Sequence, residues 1–439
     1  MSDFRRIADR IADDIAAGRL KPGQRLPPQR VFARRRGIAG STAGRVYAEL
    51  VRRGLVVGEV GRGTFVRAAP EGGGRALVEA ATAAPVNLEL NYPSVPGESE
   101  LLASGLAPLL RPDVLADALR PVPATGTPEA RRAVAGLLAT GGWQPDPDRL
   151  LFTGNARQAV AAILASLVRP GGRVGVEALT YPVVKEIAAR LGITLVPLAT
   201  DEEGPLAQSV AAAHRTAALA ALYLQPTLHN PTSVTTGPER RRELARTALD
   251  LNIPVVEDRI WSFLTDDDPL AVHAPGLVHV VDGLSKRVAP GLTVGFVAVP
   301  DGRVEPVAEA VRSGGWSAGR FAVEAAVRWI GEGVVERLVG AKRADARGRQ
   351  RVVAEELRGF VVRSDPRACF AWWELPAPWR ADTFTAAAAA HGIAVTPGPA
   401  FTVDPNRTPD AVRLGLASAP EPDLRRALRT LARVAREVL

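Results

Sequence analysis

Lys286 stands between two apolar runs, with Val278, Val280 and Val281 before it and Leu292, Val294, Phe296 and Val297 after it. A lysine flanked by buried strands either reaches solvent or uses its amine. Desolvation makes an amine easier to deprotonate and a better nucleophile toward a carbonyl carbon. Three other polar positions in the same half of the chain also follow apolar runs. Gly154-Asn155-Ala156-Arg157 follows LLFT, Asn230-Pro231 lies just beyond ALYL, and Glu257-Asp258 closes IPVV. Each alone has an ordinary reading as a turn, a helix cap or a surface charge. Together they supply an anion cradle, an amide, a carboxylate and an amine.

The surrounding pattern decides whether these groups can meet. From about residue 150 to residue 300, strands (LLFT, RVGVE, ITLVPL, ALAALYL, IPVVED, VHVVDG, TVGFVAV) alternate with helices (155–168, the stretch ending at Arg190, and PERRRELARTALD). Such alternation predicts an α/β domain, a mainly parallel sheet with helices on both faces. Ligands in these sheets bind beyond the carboxyl ends of the strands, where all four groups fall. The set suits pyridoxal phosphate. Its aldehyde needs an amine, its pyridine nitrogen a carboxylate to stay protonated, and its phosphate the N–H donors of a helix start.

Composition narrows the rest. A single cysteine, Cys369, excludes a disulfide scaffold and fits a reducing compartment. The charged start, MSDFRRIADRIADDI, argues against a secretory signal, and no apolar stretch is long enough to span a bilayer. The expected location is cytoplasmic. Five scattered histidines carry no metal-ligand spacing. The net charge of +8 is confined to the first 67 residues, where fifteen Lys/Arg outnumber six Asp/Glu. That asymmetry points to a polyanion as partner.

The basic segment reads as three helices and a hairpin. Phe4, Ile7, Ile11 and Ile15 share one helical face, Pro27-Pro28 opens a second helix, and Ser41 or Thr42 caps a third. LVVGEV and TFVR flank a turn at Gly61-Arg62-Gly63. DIAAGRLKPGQRLPPQR, VYAELVRRGLV and GEVGRGTFV resemble the winged helix-turn-helix of GntR-type regulators. The resemblance implies DNA binding, with Arg30, Ser41, Thr42, Arg45 and Arg62 as contact residues. It also exposes departures. Ala39-Gly40 and Gly44 stand where the family carries polar or basic residues, and Arg36 where it carries leucine.

Residues 86–438 resemble fold-type I aminotransferases through GTPEARRAVAGLL, FTGNARQAV, EALTYP, HNPTSVTTGPERRREL, VVEDRIWSFL, LSKRVAPGLTVGF and VRLGLA. Fusion to the basic segment resembles the MocR subfamily of regulators. By that likeness Lys286 is the Schiff-base lysine, Asp258 pairs the pyridine nitrogen, Asn230 meets the ring hydroxyl and Tyr181 stacks on the ring. Asn155, Ala156 and Arg157 supply phosphate donors with help from Ser285, and Arg413 grips an amino-acid carboxylate. Trp261 and Thr293 stand where the family has a ring-binding tyrosine and a phosphate-binding arginine. A further family tyrosine, expected near Pro121, is absent.

The expected organisation is a winged helix-turn-helix over 1–67, a linker over 68–85, and an aminotransferase-like domain over 86–439. The last divides into a large part at about 100–315 and a small C-terminal α+β part at about 316–439. The expected function is a DNA-binding transcriptional regulator, homodimeric, that senses a small amine or amino-acid effector through pyridoxal phosphate. The alternative is an aminotransferase with an accessory DNA-binding domain, in which case full turnover of donor and acceptor should be measurable. No membrane or metal partner is expected.

Overall fold

The computed structural model describes residues 3–16, 19–20, 23–52, 55–59, 63–66, 84–291, 293–405 and 407–437. The expected linker, apart from residues 84 and 85, and Arg62 lie outside them.

The N-terminal unit has helices Asp3–Ala16, Gln29–Arg36 and Gly40–Arg52, then strands Val56–Glu59 and Gly63–Val66. The short strand Arg25–Leu26 adds a third, antiparallel member that the sequence did not reveal. The core gathers Ala8, Ile11, Ile15, Phe32, Val46, Tyr47 and Leu50, with Phe32 and Tyr47 edge to face. One expectation is corrected. The third helix begins at Gly40, so Ser41 and Thr42 lie inside its first turn and neither is the cap.

The seven-stranded sheet of the main body runs Leu150–Thr153, Gly295–Ala298, Val278–Gly283, Val255–Asp258, Ala221–Leu224, Arg173–Glu177 and Thr194–Leu198. The strand Gly295–Ala298 is antiparallel to both its neighbours, and the other recorded pairings are parallel. Alternate side chains feed two apolar layers, as the two-residue period of a strand requires. Leu150, Phe152, Val255, Val280 and Phe296 face one layer; Leu151, Val256, Val281 and Val297 face the other. Both faces are covered by helices, which explains why these strands read as unbroken apolar runs.

A second core lies around the strands Val361–Arg363, Phe370–Glu374, Ala411–Gly415 and Thr396–Pro397, closed by the helix Glu421–Arg436. The stretch GIAVTPG contributes to two sheets. Thr396–Pro397 joins the four-stranded one, while Ile393–Ala394 pairs in parallel with Val86–Asn87. Val86–Asn87 is thereby tied to this smaller unit, and Leu88 is buried in its core. The helix Val334–Glu356 runs from one core to the other, burying Val334, Val335 and Leu338 at one end and Val352 and Val353 at the other. Among the described residues no helix is long and apolar enough to cross a membrane.

Candidate functional site

The strand Val278–Gly283 ends in a one-turn helix, Leu284–Arg287, that carries Ser285 and Lys286. The backbone is tight where they join. A Cβ on Gly283 would meet Val294 O at 2.8 Å, so the position takes only glycine without displacing its neighbour. Lys286 Nζ donates to Asn91 O at 2.7 Å and sits 3.8 Å from the Tyr92 ring centroid and 5.3 Å from that of Trp261. An ammonium over an aromatic face is held electrostatically by the ring. The loop is fastened from behind by Lys342, wholly buried, which donates to Val288 O and Lys286 O and pairs with Glu98 at 3.2 Å.

Asp258 closes the neighbouring strand and is 6% exposed. Its Oδ2 accepts from Tyr223 Oη at 2.7 Å and Gln225 Nε2 at 3.0 Å, and its Oδ1 from Ile260 N. Burial pushes its pKa above the ordinary carboxylate value, and those hydrogen bonds pull the other way. A buried carboxylate with only neutral donors fits a cationic partner that completes it.

The helix Ala156–Leu167 opens onto the same space. Asn155 is its cap, its Oδ1 accepting from Gln158 N, while Ala156 and Arg157 present the first turn. Arg157 Nε donates to Tyr181 Oη at 3.0 Å, and burial pushes the Tyr181 phenol up to about 12. Asn230 is buried with its Oδ1 unpartnered among the described residues. Arg413, on the strand Ala411–Gly415, donates through Nη2 to Glu89 O at 2.7 Å and Thr396 Oγ1 at 3.1 Å, and its buried Nε has no partner among the described residues. Burial lowers its pKa to about 10.

All nine residues expected at the cofactor and effector site line one cavity of about 210 Å³: Asn155, Ala156, Arg157, Tyr181, Asn230, Asp258, Ser285, Lys286 and Arg413. It holds an amine, a carboxylate, a helix N-terminus and a guanidinium, so it can take an anionic, aromatic carbonyl compound together with a carboxylate-bearing amine. No group of three or more His, Cys, Asp or Glu side chains suited to a metal occurs among the described residues.

In the N-terminal unit Arg30 and Arg45 are exposed on their helices, Ser41 is exposed and Thr42 half-buried. Arg45 lies 4.5 Å over the Phe4 ring. Arg34, Arg35 and Arg36 fill the last turn of the second helix, where the helix dipole favours cations. Arg62, also expected to touch DNA, is outside the described residues.

The sequence pattern of class I and II aminotransferases matches residues 117–431, and that of the bacterial gntR regulators matches residues 4–66. The chain belongs to the class I and II aminotransferase family. Its N-terminal GntR module gives it the MocR architecture. It is 28% identical to the HTH-type transcriptional regulator YdeF of Bacillus subtilis, over 94% of this chain and 90% of that one. It is 24% identical to YdcR of Escherichia coli, over 92% and 93%. Among solved structures, the kynurenine aminotransferase of Pyrococcus horikoshii superposes with a TM-score of 0.74 at 23% identity, over 81% of this chain and 91% of that one. LysN of Thermus thermophilus, in complex with N-(5'-phosphopyridoxyl)-L-leucine, gives 0.71 at 23%, over 80% and 92%.

Against that family background the departures acquire positions. Trp261 is buried beside Lys286. Thr293 lines the cavity with its hydroxyl buried and unpartnered among the described residues. Arg287, a cation next to the lysine, turns away into a buried pair with Asp282 and leaves Arg157 as the cation at the helix start. Sequence reasoning missed Asn91, Tyr92, Tyr223, Gln225 and Lys342. The available signals were LNYP directly after the linker and a lysine on the apolar side of a long helix.

Proposed function

We propose that the protein is a DNA-binding transcriptional regulator that uses a pyridoxal phosphate site to sense a small primary amine or amino acid. When bound, pyridoxal phosphate supplies an electrophilic carbonyl that captures primary amines. The observation that carries the reading is the meeting of Lys286, Asp258 and Arg413 in one cavity. The residues fit the group: Asn230 offers an unpartnered Oδ1, the first turn of Ala156–Leu167 offers N–H groups, and Asp258 has no cationic partner among the described residues.

In this reading Lys286 would anchor the cofactor, its amine holding the carbonyl for which an effector amine competes. Asp258 holds a proton on the pyridine nitrogen, and Tyr223 and Gln225 fix its oxygens. Ser285 and residues 155–157 orient the phosphate, Tyr181 covers the ring, and Arg413 orients a carboxylate by a forked hydrogen bond. A Lys286 amine that holds the cofactor is not free to donate to Asn91 O, so cofactor and effector together set the grip on a segment that leads back to Val86–Asn87 and the smaller unit. Coupling of about 1–3 kcal/mol changes DNA occupancy roughly five- to 150-fold. The DNA module acts through Arg30, Ser41, Thr42, Arg45 and Arg62, and two copies of the chain supply two such modules in a cytoplasmic homodimer.

Reconstitution with pyridoxal phosphate tests this. The full chain should gain a visible absorption band that shifts on titration with the effector, and Lys286→Ala should lose the borohydride-fixed adduct. A band unchanged by every primary amine and amino acid tried refutes the sensing role.

A further inference from the structure

A second cavity, of about 170 Å³, lies on the other side of Gln225, which lines both. Its walls come from the sheet edge (Glu177, Gln225), from the loop around His229 and Thr232, and from Arg363 and Glu374 of the smaller unit. Two acceptors are buried in those walls without a partner among the described residues. They are Oε2 of Glu177, a residue 2% exposed, and Oε1 of Gln225, a residue 3% exposed. Both are fixed in that role. Glu177 Oε1 accepts from Gln225 N at 2.8 Å, and Gln225 Nε2 is committed to Asp258, so Oε1 must point elsewhere.

The charges around this cavity leave one carboxylate uncompensated. Asp201 is held by Arg240 at 3.0 Å, and Glu374 by Arg363 at 2.8 Å. His229 uses both ring nitrogens, toward Thr232 Oγ1 and Leu179 O, and burial lowers its pKa to about 4, so it is neutral and offers no proton to the cavity. Among the described residues, Glu177 is the carboxylate lining the space that has no counter-ion. Burial raises its pKa to about 7, which describes a carboxylate that needs a proton or a cation. No metal-ligand cluster of three or more His, Cys, Asp or Glu is present among the described residues. An anion would face the Glu177 carboxylate.

We propose that this cavity binds a small primary ammonium ion, with Glu177 Oε2 and Gln225 Oε1 as its acceptors. The three donors of an ammonium match those two oxygens and a lone pair of Thr232 Oγ1, which already donates to His229. This inference does not rest on the sensing function above, because it requires no cofactor.

The full chain without pyridoxal phosphate is titrated with methylammonium chloride, and with potassium and tetramethylammonium chlorides at equal ionic strength, while the melting temperature is followed. Methylammonium should raise it saturably and the other two should not. Glu177→Gln, which keeps the acceptor for Gln225 N, should weaken that binding at least tenfold. Should this variant melt without cooperativity, a crystal of the wild-type chain soaked in methylammonium gives the same answer, with the ion within hydrogen-bond distance of Glu177 Oε2. An unchanged response in Glu177→Gln, an equal response to potassium or tetramethylammonium, or water alone at Glu177 overturns the assignment.

Discussion

Arg45 and Arg413 are the same side chain in opposite settings. Arg45 lies exposed on its helix, resting on Phe4. Arg413 is 8% exposed, holds a carbonyl and a threonine, and has its pKa pulled to about 10. The contrast extends to the two regions that contain them. The N-terminal unit concentrates exposed cations that act together as a field, which salt screens. The main body seats its cations and carboxylates one by one in dry places, where each has a named partner or a named gap. A field tolerates the loss of one member; a seat does not.

That contrast can be broken at several points, starting where the effect is largest. Lys286→Ala should abolish the fixed cofactor adduct completely while leaving the DNA affinity of cofactor-free protein unchanged, as read by mass spectrometry and by gel shift. Lys342→Ala leaves Glu98 without its buried partner and unfastens the carbonyls of Lys286 and Val288. It should cost about 3–5 kcal/mol in denaturant unfolding.

Glu177→Gln should change the pH profile of stability. The folded-state pKa of Glu177 is raised from 4.5 to about 7, so its contribution is intact below pH 4.5 and is lost as pH rises toward 7. The variant should therefore gain on wild type by up to about 3 kcal/mol across that window, measured without small amines. His229 and His279, lowered to about 4 by burial, act in the opposite direction and cancel in the difference between the two proteins. A flat difference curve would show that Glu177 is not the carboxylate that titrates.

Smaller effects sharpen the same comparison. Arg413→Ala should weaken the response to amino acids roughly 10- to 100-fold, the worth of a charged hydrogen bond, and spare the response to amines without a carboxylate. Arg30→Ala should weaken DNA binding only a few-fold and lower the slope of log affinity against log salt by about one. An unchanged slope would remove Arg30 from the phosphate contacts.

Much of this was legible beforehand, for identifiable reasons. The helix Pro238–Asp250 coincides with PERRRELARTALD because Gly237-Pro238 starts it and a polar face runs its length. The seven strands were readable because each is an apolar run bounded by polar or glycine-rich stretches. Asn155, Asn230, Asp258 and Lys286 were found because each lies at or just beyond the end of an apolar run, while Tyr181 and Arg413 came from the family resemblance. What escaped notice has no local mark. Arg25–Leu26 is two residues long and exists only through its pairing with Phe65 and Thr64. Gln225 and Tyr223 matter because two adjacent strands bring them to Asp258, and Asn91 because a chain segment almost two hundred residues away returns to Lys286. The misplaced cap at Ser41 or Thr42 came from choosing the best capping side chain, when the helix starts one residue earlier at a glycine.

The pairing of Val86–Asn87 with Ile393–Ala394 also determines where the N-terminal part of the chain is moored. The polypeptide that ends the basic module re-enters the described structure at residue 84, and its first firm hold is on the four-stranded unit's side of the body, not on the seven-stranded sheet. A shift of that unit would therefore carry the mooring point with it, which ties the start of the aminotransferase body to the smaller core and not to the sheet that holds Lys286.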